Sequence, residues 1–383
     1  MYDLIIVGGG PAGSSAGRRA GIKGLHTLLI EKEVFPRYKA CGGALSERAL
    51  SYLDFPLPLS VREREIFGVR FRFKESVIED YHASPIATMV TRSILDNYLL
   101  EKGKETGIEI KVGEKVIDYK EKDDLVEIVT NENVYKSKFV IIGEGSQGKL
   151  KQKVRASDAK GEYGVCIVAD VEEHIEKIDQ SLFNIMEIHF DVLNMGYGWI
   201  FPHKNYYSVG IGAFADKIVN PQRIMKAFLK TNGFNGTYRL RGHTIPAGGI
   251  TRNVVSPRVV LVGDAAGFVD PFAGEGIAYA IRSGQIAAEV IAESIRDNDH
   301  SALLRQYESI CQREFADDFK YALLSVKMMN RFPNLFLKLL TSNQEVFEKF
   351  MQIPNLTRHY RSYLEWLVPR LPKYLLSMMV SRR

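Results

Sequence analysis

The chain has 383 residues, of which 45% are hydrophobic and 25% are charged, and its formal net charge is +5. This length exceeds the ~250–300 residues at which a single core usually divides, so we expect two or three lobes, and the composition excludes an intrinsically disordered chain. The mild charge, without a basic stripe interleaved with aromatic residues, excludes a nucleic-acid-binding protein.

The chain opens on a predicted buried strand followed by a glycine-rich turn. Residues 3–7 form an almost continuous apolar run, which is typical of a parallel strand covered on both faces. Gly8, Gly10 and Gly13 then supply the spacing G-x-G-x-x-G. In such a turn the first glycine permits the tight bend, the second lets the backbone approach a pyrophosphate, and the third lets a helix pack on the sheet. We therefore expect phosphates at the positive N-terminus of that helix.

A second predicted strand, residues 27–30, ends at Glu31. An acid at about 20 residues from the glycines is expected to bind the ribose of a dinucleotide. Strand, turn, helix and acid together predict a dinucleotide-binding βαβ unit rather than an incidental glycine-rich turn. This unit alone fits NAD and FAD equally well.

The pattern changes between residues 160 and 247, where strand-like pieces separated by turns predict an antiparallel sheet. Within this region Tyr197, Trp199 and Phe201 alternate along one strand and precede Pro202. Alternation places the three aromatic side chains on one face, where they can wall an apolar pocket or form ordinary sandwich core. Periodicity alone favours the core.

A second glycine-rich segment decides between the two cofactors. Residues 259–262 have the pattern of a buried strand and lead into Asp264, and Gly274 and Gly276 open a predicted helix at Ile277. An acid at the carboxyl end of a strand can bind ribityl hydroxyls, and a helix N-terminus stabilises the negative charge of a reduced flavin. The two segments together predict bound FAD.

These segments resemble the flavoprotein family that includes aromatic hydroxylases, flavin halogenases and geranylgeranyl reductases. In that family the aspartate matching Asp264 holds the ribityl chain, and the glycines matching Gly274 and Gly276 lie near the pyrimidine edge of the flavin. Residues 91–99 are similar to the family segment in which an arginine, here Arg92, contacts FAD; an ordinary solvated helix arginine is the alternative. The loop 143–147 departs from the family pattern, so we assign it no cofactor role.

Two further pieces are similar to geranylgeranyl reductases in particular. The loop 36–46 resembles the prenyl-reductase loop that ends in Cys-Gly-Gly, which here places Cys41 beside the flavin; a buried structural cysteine is the alternative. The string 197–202 resembles a motif that lines the substrate cavity in that family, which reverses the preference for ordinary core. Halogenases carry a related string.

The resemblance implies an α/β fold, with a Rossmann-like FAD-binding domain, an inserted antiparallel β-sheet substrate domain and a helical C-terminal region. We expect the FAD-binding domain to comprise residues 1–60, 88–155 and 250–297, the substrate domain 61–87 and 156–249, and the helical region 298–383. The residues expected to bind the cofactor are Gly8, Gly10, Ala12, Gly13, Glu31, Lys32, Cys41, Gly42, Gly43, Ala44, Arg92, Val116, Asp264, Gly274, Gly276 and Ile277. The residues expected to contact substrate are Tyr197, Trp199, Phe201 and Pro202, and no metal is expected.

The function implied is FAD-dependent reduction of C=C bonds in geranylgeranyl chains, with a prenylated membrane-lipid precursor as substrate. Such a site must exclude water and hold the alkene close to the flavin, and we expect Cys41 to position the flavin or substrate and to assist protonation. No second dinucleotide fingerprint is visible, so NAD(P)H or ferredoxin is the expected electron donor. The alternatives are a flavin monooxygenase or halogenase acting on an aromatic substrate, and an electron-transfer flavoprotein that reduces quinone.

The C-terminal stretch, residues 358–383, mixes basic and apolar side chains, which fits either contact with an anionic membrane or packing on the protein. Three widely spaced cysteines suit a reducing compartment. The chain begins directly on its first strand and has no apolar run of ~18–20 residues. We therefore expect a cytoplasmic protein that is at most peripheral on the inner face of the membrane.

Overall fold

The computed structural model describes residues 1–193, 196–249, 252–299, 302–354 and 358–374. The strands are β1 (Tyr2–Val7), β2 (Thr27–Glu31), β3 (Ala44–Ser46), β4 (Arg64–Ile66), β5 (Gly68–Phe73), β6 (Ser76–Tyr81), β7 (Ala87–Met89), β8 (Glu109–Val112), β9 (Val116–Glu121), β10 (Val126–Thr130), β11 (Val134–Ile142), β12 (Tyr163–Glu172), β13 (Ile185–His189), β14 (Gly196–Pro202), β15 (Tyr206–Phe214), β16 (Arg241–Pro246) and β17 (Val259–Leu261). The helices are α1 (Pro11–Ile22), α2 (Glu47–Ser51), α3 (Arg92–Lys104), α4 (Ile175–Leu182), α5 (Pro221–Thr231), α6 (Gly263–Ala266), α7 (Ile277–Arg296), α8 (Ala302–Arg331), α9 (Pro333–Ser342), α10 (Gln344–Met351) and α11 (Tyr360–Leu367).

The first sheet is built around parallel strands in the order β8, β2, β1, β11 and β17. Strands β1 and β11 lie in the centre of the sheet because their predicted apolar runs can be covered on both faces. Residues 4–6 of β1 and 139–142 of β11 are completely buried. The N-terminal part of β11 also pairs with the antiparallel strands β10 and β9. The carboxyl ends of β1, β2 and β17 therefore meet at one edge, where ligands bind in open parallel sheets.

The second sheet has the order β16, β12, β15, β14, β13, β5 and β6. Its pairs are antiparallel except for β13 and β5, which run parallel. Strands β5 and β6 come from the early excursion, residues 61–87, that the sequence assigned to the substrate domain. A small third sheet has the order β3, β7 and β4.

The C-terminal helices close the molecule on the side of β5 and β6. Helix α8 packs on α7, α9 packs on β5 and β6, α10 packs on β6, and α11 packs on α8. Their apolar faces share one core with Val69 and Phe71 of β5. The predicted fold class is confirmed, apart from the one parallel strand pair in the second sheet, while the predicted domain boundaries stay predictions.

Part of the proposed membrane-facing stretch packs on the protein instead. Leu364, Leu367 and Tyr374 are at most 5% exposed and belong to the core beside β5. These apolar side chains are therefore not available to a bilayer. The rest of the stretch, residues 375–383, lies outside the described residues.

Across the part of the chain that the structure describes, no helix has the length and apolar character needed to cross a membrane.

Helices α1 and α7 approach each other closely enough to require glycine. A Cβ added to Gly284 of α7 would lie 2.2 Å from the carbonyl oxygen of Ala12. We expect Gly284→Ala to lower the free energy of unfolding by about 1–3 kcal/mol, because overpacking forces a backbone shift. Denaturant unfolding measures this. Gly161→Ala is the control, since the nearest atom to its added Cβ, Asp216 Oδ2, is 4.0 Å away; equal stability of the two variants would contradict the packing argument.

Candidate active site

A cavity of about 1060 Å³ lies between the carboxyl edge of the first sheet, the face of the second sheet and the C-terminal helices. Single small-molecule sites usually occupy ~300–1,000 Å³, so this cavity is at the upper end of that range and suits a ligand as large as a dinucleotide. The predicted site residues that line it are Gly8, Gly10, Ala12, Glu31, Lys32, Cys41, Gly42, Gly43, Ala44, Arg92, Val116, Tyr197, Trp199, Phe201, Asp264, Gly274, Gly276 and Ile277. Gly13 and Pro202 lie outside this lining.

The glycine-rich turn has the geometry that its sequence predicts. Gly8 has a φ of +102° and passes so close to the backbone of Gly143 that a Cβ would lie 2.5 Å from its carbonyl oxygen. A Cβ on Gly13 would lie 1.8 Å from the carbonyl oxygen of Gly8. Close packing of α1 on the turn therefore requires glycine at this position, although Gly13 does not line the cavity. Gly10 caps α1 and Pro11 occupies its first turn. The free N–H groups there are at the cavity edge and can bind an anion.

Glu31 lies at the end of β2 and is only 5% exposed. Its Oε2 accepts a hydrogen bond from the Gly9 N–H at 2.6 Å, and its Oε1 accepts one from the Glu33 N–H at 2.9 Å. These bonds hold the carboxyl group at the cavity wall. Because a carboxylate has about four acceptor positions, two remain for ribose hydroxyls.

Two arginines meet beside this turn. Arg92 forms two hydrogen bonds of 2.8 Å with Asp96 and is 9% exposed, so it is not an ordinary solvated arginine. Arg37 Nη1 also lies 2.8 Å from Asp96 Oδ2, yet it is buried without a hydrogen-bond partner among the described residues. Arg37 lines the cavity close to Gly10. A guanidinium that is ion-paired on one side, and whose Nη1 makes no hydrogen bond of good geometry with the described residues, can also bind a phosphate at the nearby helix N-terminus, a role that the sequence analysis did not assign.

A polar cluster lies where the two sheets face each other. Lys39 Nζ is 3.1 Å from His243 Nε2, and that nitrogen is 3.6 Å from Asp264 Oδ2. Burial lowers the pKa of Lys39 and of His243. Burial alone would raise the pKa of Asp264, but the His243 hydrogen bond and the charges of Lys39 and Arg92 hold it below its ordinary value. Asp264 is therefore a stable carboxylate, able to accept hydrogen bonds from ribityl hydroxyls.

The loop after β11 also lines the cavity, although its sequence departs from the family pattern. Residues 143–150 all contribute to the wall. Glu144 turns back into its own loop and accepts a hydrogen bond from the Lys151 N–H at 2.9 Å. Its position at the carboxyl end of β11, next to β1, was the available signal for a site role.

The apolar half of the cavity lies on the second sheet. Tyr197, Trp199 and Phe201 of β14 all point into the cavity, as their alternation predicts. A Cβ on Gly210 would lie 2.1 Å from the Trp199 ring, and one on Gly42 would lie 3.1 Å from the Phe201 ring. Glycines on both sides thus let flat rings pack against backbone. The wall is a lining and not ordinary sandwich core.

The loop that carries Cys41 is fixed from the second sheet. His203 Nε2 is 3.0 Å from the carbonyl oxygen of Gly42, and its Nδ1 is 2.6 Å from Glu63 Oε2. His203 is 1% exposed, and Gly43 passes it with a φ of +76°. The Cys41 Sγ accepts the Gly43 N–H at 3.4 Å and lines the cavity. Cys41 is thus a half-buried residue of the cavity wall.

The far end of the cavity comes from the C-terminal helices, which carried no sequence motif. Its residues are Met329 of α8, Phe350 and Met351 of α10, and Tyr360 of α11. The Phe350 ring lies 5.3 Å from that of Phe272, in the loop before α7. Long-range packing brings these segments together, and local sequence patterns give no sign of it.

These residues fit FAD at its successive parts. The N-terminus of α1 and the unsatisfied Arg37 nitrogen suit a pyrophosphate, Glu31 suits a ribose and Asp264 suits the ribityl chain. At the other end Gly274, with a φ of +69°, precedes the N-terminus of α7, which can face a flavin. The individual residue roles stay predictions.

Comparison with known proteins agrees with this geometry. A family model for FAD dependent oxidoreductases matches residues 3–143, and a model for tryptophan halogenases matches residues 80–353. Digeranylgeranylglycerophospholipid reductase of Methanocaldococcus jannaschii is 30% identical over 80% of this chain and 81% of its own length. An uncharacterized protein of Methanosarcina barkeri is 31% identical over 84% of this chain and 82% of its own length.

Among solved structures, a geranylgeranyl bacteriochlorophyll reductase-like protein of Thermoplasma acidophilum aligns with a TM-score of 0.84 at 23% identity, covering 96% of this chain and 98% of that one. The flavin-dependent brominase Bmp2 aligns with a TM-score of 0.74 at 20% identity, covering 97% and 99%. At these identities the likeness shows the fold.

Fold, cavity and family matches define the class: this protein is an FAD-dependent oxidoreductase. Within that class the chain belongs to the geranylgeranyl reductase family, in a wider group of flavoproteins that it shares with the tryptophan halogenases. The predicted resemblance and the prediction of FAD are confirmed.

Glu31 provides a test of the cofactor site. Glu31→Gln keeps the side-chain size but removes the charge. Its amide N–H₂ group would also face one of the backbone N–H groups, of Gly9 or Glu33, that donate to the Glu31 carboxylate. We expect the FAD dissociation constant to rise at least about tenfold, because hydrogen bonds to a charged group contribute ~1.5–3 kcal/mol. Fluorescence titration of FAD-depleted protein measures this. Glu75→Gln, exposed and outside the cavity lining, is the control; equal dissociation constants for the two variants would remove Glu31 from the cofactor site.

Proposed function

We propose that this enzyme saturates C=C bonds of geranylgeranyl chains carried by membrane-lipid precursors. The observation that supports this most directly is the continuity of the cavity from the dinucleotide end to an apolar end walled by aromatic side chains. Relatives named for this chemistry include the digeranylgeranylglycerophospholipid reductases of Methanococcus vannielii, Methanocaldococcus jannaschii and Methanococcus aeolicus. A chloroplastic geranylgeranyl diphosphate reductase of Nicotiana tabacum is 28% identical.

The strand order of the second sheet gives the cavity a direction. His243 of β16 lies at its polar end, Trp199 of β14 lies in the middle, and Val69 and Phe71 of β5 lie beyond Ile188 of β13. Neighbouring strands are ~4.8 Å apart, so the sheet spans about 24 Å from β16 to β5. Such a length suits a cofactor ring followed by an extended hydrocarbon chain.

Each part of the chain has a separate task in this reaction. When bound, FAD supplies hydride chemistry for one carbon of the double bond. The aromatic wall of β14 excludes water and keeps the alkene close to the ring, which favours the reaction by proximity. The N-terminus of α7 stabilises negative charge on the reduced cofactor. Cys41 lies between Arg92 and the aromatic wall, where it can position the ring or the alkene.

The donor and the location of the enzyme belong to the same proposal. We assign the electrons to NAD(P)H or ferredoxin, since the sequence has no second dinucleotide fingerprint. A substrate with two long chains resides in a membrane, so we place the enzyme in the cytoplasm with peripheral contact to the inner membrane face.

An anaerobic reaction tests the proposal. The FAD-loaded protein, reduced with dithionite, should be reoxidised by a geranylgeranyl-bearing glycerophospholipid or by geranylgeranyl diphosphate. Mass spectrometry should show two hydrogen atoms gained per double bond, and comparison of the two compounds ranks them as substrates. A flavin that stays reduced with both compounds would overturn the proposal.

The match to the tryptophan halogenase model favours a second candidate, an oxygen-dependent enzyme acting on an aromatic ring. The cavity lining includes the lysines Lys32, Lys39, Lys115 and Lys149. Of these, Lys39 lies at the polar end beside His243. Tyr197 occupies the first aromatic position of the wall, where halogenases carry tryptophan. Reoxidation by oxygen with conversion of an aromatic substrate, and none with prenyl compounds, would support this candidate.

Bulk added at the far end should shorten the accepted chain. Val69 is 1% exposed and lines the cavity on β5. We expect Val69→Phe to lower kcat/KM for geranylgeranyl diphosphate at least about tenfold while geranyl diphosphate is largely spared, because pocket size discriminates by this amount. Val77→Phe adds the same bulk on β6 at a site 46% exposed and outside the lining. An equal loss for both chain lengths would contradict the assigned direction of the cavity.

A further inference from the structure

Among the carboxyl groups that line the cavity, Asp270 lies away from Asp264, the one that is expected to hold the ribityl chain. Asp270, in the loop between α6 and α7, is 3% exposed and lines the cavity together with Phe272 and Tyr360. The Phe272 ring lies 6.0 Å from that of Tyr360 and 5.3 Å from that of Phe350. Asp270 thus sits at the boundary between the flavin-side glycines and the apolar half.

The hydrogen bonds of Asp270 fix its position. Its Oδ1 accepts the N–H groups of Phe272 at 2.8 Å and Ala273 at 2.9 Å, which leaves Oδ2 outside these two bonds. Tyr360 of α11, which also lines the cavity, faces this carboxyl group, and their interaction affects the pKa of both. Tyr197 of the aromatic wall donates its hydroxyl to the carbonyl oxygen of Ala273 at 3.0 Å. The carboxyl group is therefore anchored to both walls of the substrate half.

No cation pairs with Asp270 within the described ranges of the chain. The titratable groups that face it are Tyr197, Glu275, Tyr279 and Tyr360, with Arg48 and Asp318 behind Glu275 and Tyr279. Burial raises the pKa of Asp270 to about 6, the two backbone N–H bonds oppose this shift, and the nearby Glu275 adds to it. Asp264 in the same cavity has a pKa below its ordinary value. Two carboxyl groups whose pKa values are pushed apart are suited to different roles.

We propose that Asp270 is the proton donor of the reduction, with Tyr360 as a positioning residue. This inference rests on the proposed function. In the step, the bond that holds the hydride to the reduced flavin breaks and a C–H bond forms at one alkene carbon. The O–H bond of the Asp270 carboxyl group breaks, its proton forms a C–H bond at the other carbon, and the π bond between the two carbons is lost. The flavin is oxidised, the alkene is reduced, and Asp270 is left as a carboxylate. Solvent returns its proton between turnovers.

The test compares Asp270→Asn with the wild type. Asparagine keeps a side-chain oxygen for the N–H groups of residues 272 and 273, so FAD content and the unfolding midpoint should not change. The single-turnover rate of anaerobic flavin reoxidation by geranylgeranyl diphosphate should fall at least about 100-fold, the usual size of a general-acid contribution. Asp54→Asn, in an exposed pair with Arg18, is the matched control and should react like the wild type.

The pH dependence identifies the acid. Because the protonated form donates, the wild-type rate should be constant below pH 6 and fall about tenfold per pH unit above it, and this fall should be absent from Asp270→Asn. Glu275→Gln and Cys41→Ala should both retain it. Tyr360→Phe should shift the midpoint. The proposal would be overturned if the decrease of the rate above pH 6 persisted in Asp270→Asn but was absent from Glu275→Gln or Cys41→Ala.

Infrared difference titration gives a readout that needs no substrate. A protonated carboxyl band that titrates near pH 6 in the wild type should be missing from Asp270→Asn. Absence of an Asp270-dependent band would overturn the role of Asp270 whatever the enzyme reduces. A band together with a flavin that no prenyl compound reoxidises in the wild type would instead overturn the proposed function, and the alkene step with it.

Discussion

The contact between α1 and α7 is the constraint on which the site depends. The two glycine-rich segments are far apart in the chain, and they form one site only because these helices lie almost backbone to backbone. Gly284 meets the carbonyl of Ala12 there, and Gly263 approaches Ala12 and Ala280 at the entrance to the second segment. Small residues at these positions set the distance between the phosphate end and the flavin end of the cavity. A larger side chain would separate the two halves of one cofactor site.

Given that contact, the cavity acquires a gradient of polarity. Backbone N–H groups, Arg37, Lys39 and His243 surround the end that suits phosphates and ribityl hydroxyls, whereas aromatic rings surround the other. Two carboxyl groups of the same cavity therefore differ: the pKa of Asp264, near cations, is lowered, whereas burial among rings raises the pKa of Asp270 to about 6, so that Asp270 binds a proton more readily. Position along the gradient, rather than residue type, assigns the role of each acid.

Sequence patterns predicted the parts of this site whose cause is local. The G-x-G-x-x-G turn, the acid that ends β2, the strand leading to Asp264 and the alternation along β14 each follow from neighbours in the chain, and each lies where it was expected. Arg37 and Asp270 were missed because their significance depends on their surroundings in the fold. Within the part of the chain that the structure describes, Arg37 is a buried guanidinium with one nitrogen that makes no hydrogen bond, and Asp270 is a buried carboxyl group without a paired cation. The loop after β11 was discounted on residue identity, although its place at a strand end still brings its backbone to the cavity.

The C-terminal helices show why the far end of the site has no motif. A hydrocarbon chain offers no hydrogen-bonding group, so it is recognised by volume, shape and dryness, which many combinations of apolar side chains can provide. Met329, Phe350 and Met351 meet that requirement without any fixed spacing. Tyr360 is different, because its hydroxyl reaches Asp270 and joins the helical region to the loop before α7. The selection of chain length and the placement of the acid thus depend on the same helices, and a substitution in α11 can alter the chemistry as well as the fit of the substrate.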